Sequence, residues 1–264
     1  MIKSTDITQG LKTKIFGKKV FVFDTIDSTN SCARLLAECG NVEGTVVYAE
    51  GQTGGRGRLN RTWISEKGKN LLFSVIFAPT IKERKYYLVP LLVSTSIVRA
   101  IKMILPVCPV TVKWPNDILL DPGKKICGIL TELTYSIEGE IRIVAGVGLN
   151  VNQTDFPPKI SAVASSLRTV AERPLDRFAL LRDILTNIET SYDALYTNPE
   201  SIISTWRSNC SMFDKPLRVQ QGDSIQEGIC KDIDSEGALL IEDKKGTIVR
   251  IIAGDVTSVA VNTQ

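Results

Sequence analysis

The sequence predicts an α+β fold in two unequal parts: a mixed, largely antiparallel sheet with flanking helices over residues 1–212, and a small β-barrel over residues 213–264. Three observations lead there. The runs Thr45–Ala49, Asn70–Phe77 and Val110–Trp114 read as strands, and Ile126–Leu133 with Ile141–Val147 reads as a strand pair joined by the Ser136–Glu140 turn. Between them lie stretches with helical periodicity. From Lys215 onward the texture changes to five short strands in about fifty residues, the spacing of a small all-β unit.

In chain order, residues 1–19 are a basic, weakly patterned lead-in, followed by a short strand at Val20–Phe23 and a turn at Asp24–Asn30. Ser28 caps the next helix, whose apolar face is expected at Cys32, Leu35, Leu36 and Cys39 and which ends at Gly40. Lys82–Leu105 is helical in pattern, with Pro90 either kinking it or sitting in an early turn. Its most apolar window, Tyr86–Val98, falls short of the roughly 20 residues that span a bilayer. A loop around Pro157 and Pro158 precedes an amphipathic helix at Leu175–Tyr196 and a shorter one at Pro199–Asn209. The C-terminal strands are expected at Leu217–Gln220, Gly228–Ile233, Ala238–Ile241, Thr247–Ile252 and Val256–Val261.

Composition narrows the chemistry. The chain has 264 residues, 43% hydrophobic and 23% charged, as for an ordinary soluble domain. Its net charge of +3 is uneven: residues 213–264 hold six Lys/Arg against nine Asp/Glu, a balance of −3, which leaves +6 on residues 1–212. That bias suits nucleotide and carboxylate ligands and is too weak for a dedicated DNA binder. Histidine is absent. Ser-His-Asp and Cys-His machinery are therefore excluded, as is any imidazole metal site, and no metal site is expected. Six scattered cysteines without a C-x-x-C pair, and an N-terminus without a signal-like apolar run, predict a cytoplasmic protein with reduced thiols and no membrane association.

The segment Gly51–Trp63, GQTGGRGRLNRTW, interleaves four glycines with Arg56, Arg58 and Arg61 between two predicted core strands. Guanidinium groups present paired donors that match carboxylate and phosphate oxygens. So much fixed charge repels itself when the loop is empty, so the loop should order around an anion. Neither a dinucleotide turn nor a G-x-x-x-x-G-K-[ST] loop is present. Further on, Lys113-Trp114-Pro115-Asn116-Asp117 closes a strand, and Pro115 predicts that Asn116 and Asp117 lie on a turn. Lys124 and Lys125 lead into a strand with Gly128, where something approaches closely, and Gly146-Val147-Gly148-Leu149-Asn150-Val151-Asn152 ends the next one.

Each piece alone has a plain reading, as a cap, a turn, a solvated pair or a tight bend. Together, DSTN at 27–30, GRGRLNRTW at 55–63, KWPND at 113–117, KKICGILTEL at 124–133 and GVGLNVN at 146–152 resemble the biotin–protein ligases, or biotin–[acetyl-CoA carboxylase] ligases. The resemblance extends through the C-terminal β unit, and it lacks the N-terminal DNA-binding domain that some members carry. It implies a catalytic fold like that of class II aminoacyl-tRNA synthetases, followed by an SH3-like barrel.

The activity it implies is two-step. Biotin reacts with ATP, accompanied by Mg²⁺, to give biotinyl-5′-AMP, and the biotinyl group then passes to a lysine of the biotin carboxyl carrier protein of acetyl-CoA carboxylase. By matching position, Ser28, Thr29, Gln52, Gly55, Arg56 and Gly128 would form the biotin site. Arg58, Arg61, Trp63, Asn116, Lys125 and Asn150 would contact the nucleotide. Lys125, Arg58 and Asp117 would be catalytic, with register to Gly128 favouring Lys125 over Lys124. Asp117 has two candidate roles, an indirect Mg²⁺ contact or acceptance of the proton from the incoming amine, beside a plain Asx turn. Cys127 reads as a buried, inert thiol. The oligomeric state stays open, with a homodimer among the options.

Three rivals are set aside. A lipoate ligase or octanoyltransferase would not need the polar ureido set with GRGR and KWPND. A biotin-sensing DNA-binding regulator is opposed by the short N-terminus, and a non-catalytic binding module by the intact lysine and arginine set.

Overall fold

The computed structural model describes residues 2–40, 43–79, 85–121 and 123–258. Their elements, in order, are α1 (Ser4–Thr8), β1 (Val20–Phe23), α2 (Thr29–Glu38), β2 (Val46–Ala49), β3 (Leu71–Phe77), α3 (Val89–Ile104), β4 (Val110–Lys113), β5 (Asp117–Leu120), β6 (Lys124–Tyr135) and β7 (Ile141–Leu149). There follow α4 (Pro158–Ser161), α5 (Arg168–Ala171), α6 (Arg177–Tyr192), α7 (Ala194–Thr197) and α8 (Pro199–Ser208). The chain closes with β8 (Pro216–Gln221), β9 (Ser224–Ile233), β10 (Leu239–Glu242), β11 (Ile248–Ile251) and β12 (Asp255–Ser258).

β1 to β7 form one sheet in the order β1-β2-β3-β7-β6-β5-β4. Only β1 and β2 run parallel; the other pairs are antiparallel, so the sheet is mixed and largely antiparallel as expected. Alternation along each strand sorts residues between its faces. Val46, Tyr48, Leu71, Phe73, Val75, Ile143, Ala145, Val147 and Leu149 join the main core with α3 and α6. The opposite parity, Val47, Ile76 and Val144, meets Ala33 and Ala37 of α2. β8 to β12 form the expected small C-terminal β unit, antiparallel in the order β11-β10-β9-β8-β12.

Several expectations need correction. The fully buried face of α2 is Thr29, Asn30, Ala33 and Ala37; of the expected face, Cys32 and Leu36 pack partly buried against it, while Leu35 is 62% exposed and Cys39 is exposed too. Small side chains let the helix lie close to the glycine-bearing strand β7, where larger ones would hold it off. Of the two readings of Pro90 the early turn holds: it sits in the first turn of α3, where its missing N–H costs nothing, and does not kink the helix. Residues 82–84 of the predicted helix and 259–261 of the last predicted strand lie outside the described residues.

The apolar segment is also longer than read. Tyr86–Ile104 has 19 residues at mean hydropathy 1.5, enough by length and composition to cross a membrane. Two thirds of it is buried in this fold, where α3 packs on α6 and the sheet as a core helix. The helix expected over 175–196 is broken into α6 and α7, and α6 is capped by Asp176, which accepts from the Phe178 and Ala179 amides. Finally, Asp117 is not on the turn but begins β5, a strand that the pattern did not suggest.

Candidate active site

The site lies on the α2 side of the sheet and is made by strand register. Gly128 pairs with Gly148 across β6 and β7, Gly148 with Leu72 of β3, Gly128 with Asp117 of β5, and Asp117 with Lys113 of β4. One row across five strands is therefore Leu72, Gly148, Gly128, Asp117, Lys113. The two glycines form a flat shelf, and the Trp63 indole lies on it. A Cβ at Gly148 would stand 2.3 Å from Trp63 Cε2, and one at Gly128 3.1 Å from Cζ3. The parallel row, Ser74–Gly146–Leu130, receives Asn30, whose Oδ1 would be 1.8 Å from a Cβ at Gly146.

Above this floor lies a cavity of about 370 Å³. It brings together Ser28, Thr29, Gln52, Arg56, Arg58, Arg61, Trp63, Asn116, Asp117, Lys125, Gly128 and Asn150, twelve of the residues singled out in the sequence. Gly55 does not line it. That residue is buried under the returning limb of its own loop, accepting from the Trp63 amide at 2.9 Å, and a Cβ there would meet the Trp63 carbonyl oxygen at 2.6 Å. Lys124 is exposed and does not line the cavity either.

One end of the cavity is a closed polar network at the start of α2. The Ser28 hydroxyl caps the helix, accepting from the Ser31 amide. Gln52 Oε1 accepts from the amide and hydroxyl of Thr29, at 2.7 and 3.1 Å. Ser74 Oγ donates to Asn30 Oδ1 at 2.7 Å, and Asn30 Nδ2 donates to Glu132 Oε2 at 2.8 Å. Glu132 in turn pairs with Arg56 at 3.0 Å. Ser28, Thr29, Asn30 and Ser74 are all buried, and buried polar groups of this kind hold their places because each has a partner.

The other end is cationic. Lys125 Nζ is 2.7 Å from Asp117 Oδ1 and 5.7 Å from the Trp63 ring centroid. Arg58 donates to Asn116 Oδ1 at 3.3 Å and to the Gly254 carbonyl at 3.2 Å, and Arg61 pairs with Asp255. The latter two contacts come from the C-terminal β unit. Asn116 also donates to the Ile129 carbonyl at 2.5 Å, which fastens the turn carrying the cis Trp114–Pro115 peptide to β6. Lys113 borders the cavity too, and burial holds its ammonium below the usual lysine value, aided by Lys125 and opposed by Asp117. Cys127 is fully buried, and burial pushes its thiol up, so it is the inert thiol expected.

Three buried polar atoms of cavity residues have no hydrogen-bond partner among the described residues: Trp63 Nε1, Asn150 Oδ1 and Asp117 Oδ1, the last with only its ion pair to Lys125. Such atoms are costly to leave unmet, and a bound ligand is what could meet them. Among the described residues no three His, Cys, Asp or Glu side chains converge as a metal site would require. No site role follows from the sequence for Asn30, Ser74, Glu132 or Asp255, although Asn30 stands inside the DSTN motif and Glu132 inside KKICGILTEL, and Lys113, Gly146 and Gly148 enter there only as members of KWPND and GVGLNVN.

Comparison with known proteins agrees with this geometry. Residues 22–150 match the model of the biotin/lipoate A/B protein ligase family, and residues 213–257 match that of the biotin protein ligase C-terminal domain. The chain is 34% identical over 258 residues to the bifunctional ligase/repressor BirA of Bacillus subtilis, covering 97% of this chain and 78% of that one. It is 29% identical over 241 residues to the biotin–[acetyl-CoA-carboxylase] ligase of Mycobacterium tuberculosis, covering 88% and 87%. Among solved structures, the biotin protein ligase of Aquifex aeolicus in complex with biotin and ATP superposes with a TM-score of 0.78 at 28% identity, over 91% of this chain and 98% of that one.

Proposed function

The chain belongs to the biotin protein ligases of the biotin/lipoate A/B protein ligase family, and on that premise we propose how its residues divide the work and which protein it modifies. As a ligase of this family it uses biotin and ATP, activates biotin and transfers it. Its proposed acceptor is a lysine of the biotin carboxyl carrier protein of acetyl-CoA carboxylase. The observation that carries the assignment of residues is one cavity with a satisfied polar end, a cationic end, and Lys125 beside the glycine shelf between them.

In this reading Ser28, Thr29, Gln52 and Asn30 receive the ureido ring, and the shelf at Gly128 and Gly148 seats the Trp63 indole beside the ligand. The biotin carboxylate is already ionised and needs no base. Its oxygen attacks the α-phosphorus, the bond to pyrophosphate breaks, and Lys125, Arg58 and Arg61 offset the charge that gathers there. Mg²⁺ enters as part of the nucleotide substrate, held largely by phosphate oxygens.

Asp117 holds Lys125 in place by their ion pair. In the second step the acceptor amine attacks the biotinyl carbonyl carbon and AMP leaves. The amine must lose a proton, and Asp117 is the carboxylate on hand to take it. Trp63 and Asn150 contribute contacts to the nucleotide through Nε1 and Oδ1, which have no protein partner among the described residues.

We assign the catalytic part to residues 1–212 and the supporting β unit to 213–264. The protein is proposed to act in the cytoplasm, without DNA or a membrane. The test is incubation with biotin, ATP, Mg²⁺ and the carrier domain, with the acceptor mass measured before and after. An added mass of one biotinyl group on a single lysine supports the reading; an unmodified carrier with free biotinyl-AMP accumulating would leave the activation and overturn the acceptor.

A further inference from the structure

Behind the base of the arginine loop lies a group of buried charges that takes no part in the cavity. We propose that Arg177, the first residue of α6, is a positioning residue for this loop: it grips both feet at once and so sets how the arginines at the tip reach the ligand. The proposal rests on the proposed role of Arg58 and Arg61 at the nucleotide phosphates, which makes the Gly51–Trp63 loop a clamp over the adenylate.

The loop leaves the sheet at Glu50, directly after β2, and rejoins it through Asn70, directly before β3. Arg177 Nη1 donates to Glu50 Oε1 at 3.1 Å, to the Asn70 carbonyl at 2.9 Å and to the Tyr48 hydroxyl at 2.9 Å, while Nη2 donates to Glu50 Oε2 at 3.1 Å. The Arg177 and Glu50 side chains are only 13% and 11% exposed. Tyr48 also donates to Glu50, and burial pushes its phenol up, so it stays a neutral donor.

Asn70 extends the grip. Its Nδ2 donates to Gln153 Oε1 at 2.6 Å and to Ser65 Oγ at 2.9 Å, and its Oδ1 accepts from the Val151 amide at 2.9 Å. The Glu66 amide on the returning limb also reaches Gln153, at 3.1 Å. The network therefore joins both limbs of the loop to the segment next to Asn150, which lines the cavity.

A buried ion pair adds little net stability over a well-packed apolar pair, because desolvation offsets the attraction. What a bidentate Arg–carboxylate contact does supply is a fixed distance and plane. Here that plane spans Glu50 and Asn70, just beyond the paired ends of β2 and β3 from which the clamp springs. The biotin floor, built from α2, β3, β6 and β7, receives no bond from Arg177. Gln52, the ureido-site residue on the loop, is held separately by Thr29 and by a bridge to Ile26, so loss of Arg177 should be felt at the clamp before the floor.

The test compares the wild-type chain with Arg177→Met, with the double variant Arg177→Met/Glu50→Met, and with Arg177→Lys. Escape of pre-formed biotinyl-adenylate after dilution, biotin affinity and thermal midpoint are measured for each. Arg177→Met should lower the midpoint and speed escape about tenfold, with biotin affinity within about twofold, since a small misplacement of a positioning element costs that much or more. The double variant should recover the midpoint and keep the fast escape. Arg177→Lys retains the charge without the planar fork and should release adenylate about fivefold faster in a folded protein. Wild-type retention in the double variant or in Arg177→Lys, or parallel losses of biotin affinity and retention, would show the ion pair to be merely structural. A wild-type chain that formed no adenylate would overturn the functional reading, and this one with it.

Discussion

The two ends of the cavity are built on opposite principles. At the α2 end, Ser28, Thr29, Asn30 and Ser74 are 0–4% exposed and bonded to one another, to the sheet and to Gln52. At the loop end, the Arg61 side chain is 68% exposed, Leu59 is 70% exposed at φ +52°, and the partners of Arg58 and Arg61 come partly from residues 254 and 255 of the C-terminal unit. A small neutral ring can be read by a site fixed in advance, since little ordering cost then falls on binding. A polyanion that must enter, react and leave needs charges that can open. Rigidity serves recognition here, and loosely held charge serves turnover.

The strongest way to break this contrast is at its midpoint. Lys125→Ala removes the cation that stands between the two ends, paired with Asp117. Adenylate formation should fall by roughly 10²–10³-fold, the usual cost of losing one preorganised charge-stabilising group. Biotin affinity, set by the α2 end, should hold within about threefold. Pre-steady-state measurement of adenylate with parallel biotin titration checks both, and equal losses would mean that Lys125 binds substrate and does no more.

The floor is sharpened by Ser74→Ala. That change strands Asn30 Oδ1 in a buried setting, and leaving such an acceptor unmet costs about 1–3 kcal/mol. Biotin affinity should drop by about tenfold while adenylate release from the residual complex stays near wild type. Arg58→Gly is the mirror-image experiment. It takes away the guanidinium that spans Asn116 and the Gly254 carbonyl, so adenylate should escape about five- to tenfold faster with biotin affinity unchanged. If both variants moved both constants together, the two ends would be one mechanical unit.

Which of these residues could be read in the sequence follows from how they are brought together. The arginine loop, KWPND and the Lys124–Lys125 pair are local and chemically unusual, and the cavity gathers most of them. Ser74 and Glu132 are invisible in that sense, because β3–β7–β6 register alone brings them to Asn30. Lys113 is read as part of a motif, and only its pairing with Asp117 turns it toward the site. The α2 face was misjudged because large apolar residues were weighed by area, whereas Ala33 and Ala37 matter for how closely the helix can approach. Asp117 was placed on a turn because Pro115 masks a strand of only four residues behind it. Nothing local marks Gly254 and Asp255 as neighbours of a loop nearly two hundred residues away.

The smallest expected effect tests that last contact. Arg61 and Asp255 pair at the mouth of the cavity, where Arg61 is 68% exposed, and ion pairs so open to water contribute about 0–1 kcal/mol. Asp255 and an incoming phosphate compete for the Arg61 guanidinium. Asp255→Asn should therefore make ATP slightly easier to bind, with KM for ATP falling about twofold. The difference should fade as salt rises toward about 0.5 M, since screening weakens the competing pair in the wild type. A rise in KM of tenfold or more, insensitive to salt, would instead mean that Asp255 belongs to the ATP site itself. The loop end would then be as firmly built as the floor, and the contrast between the two would fail.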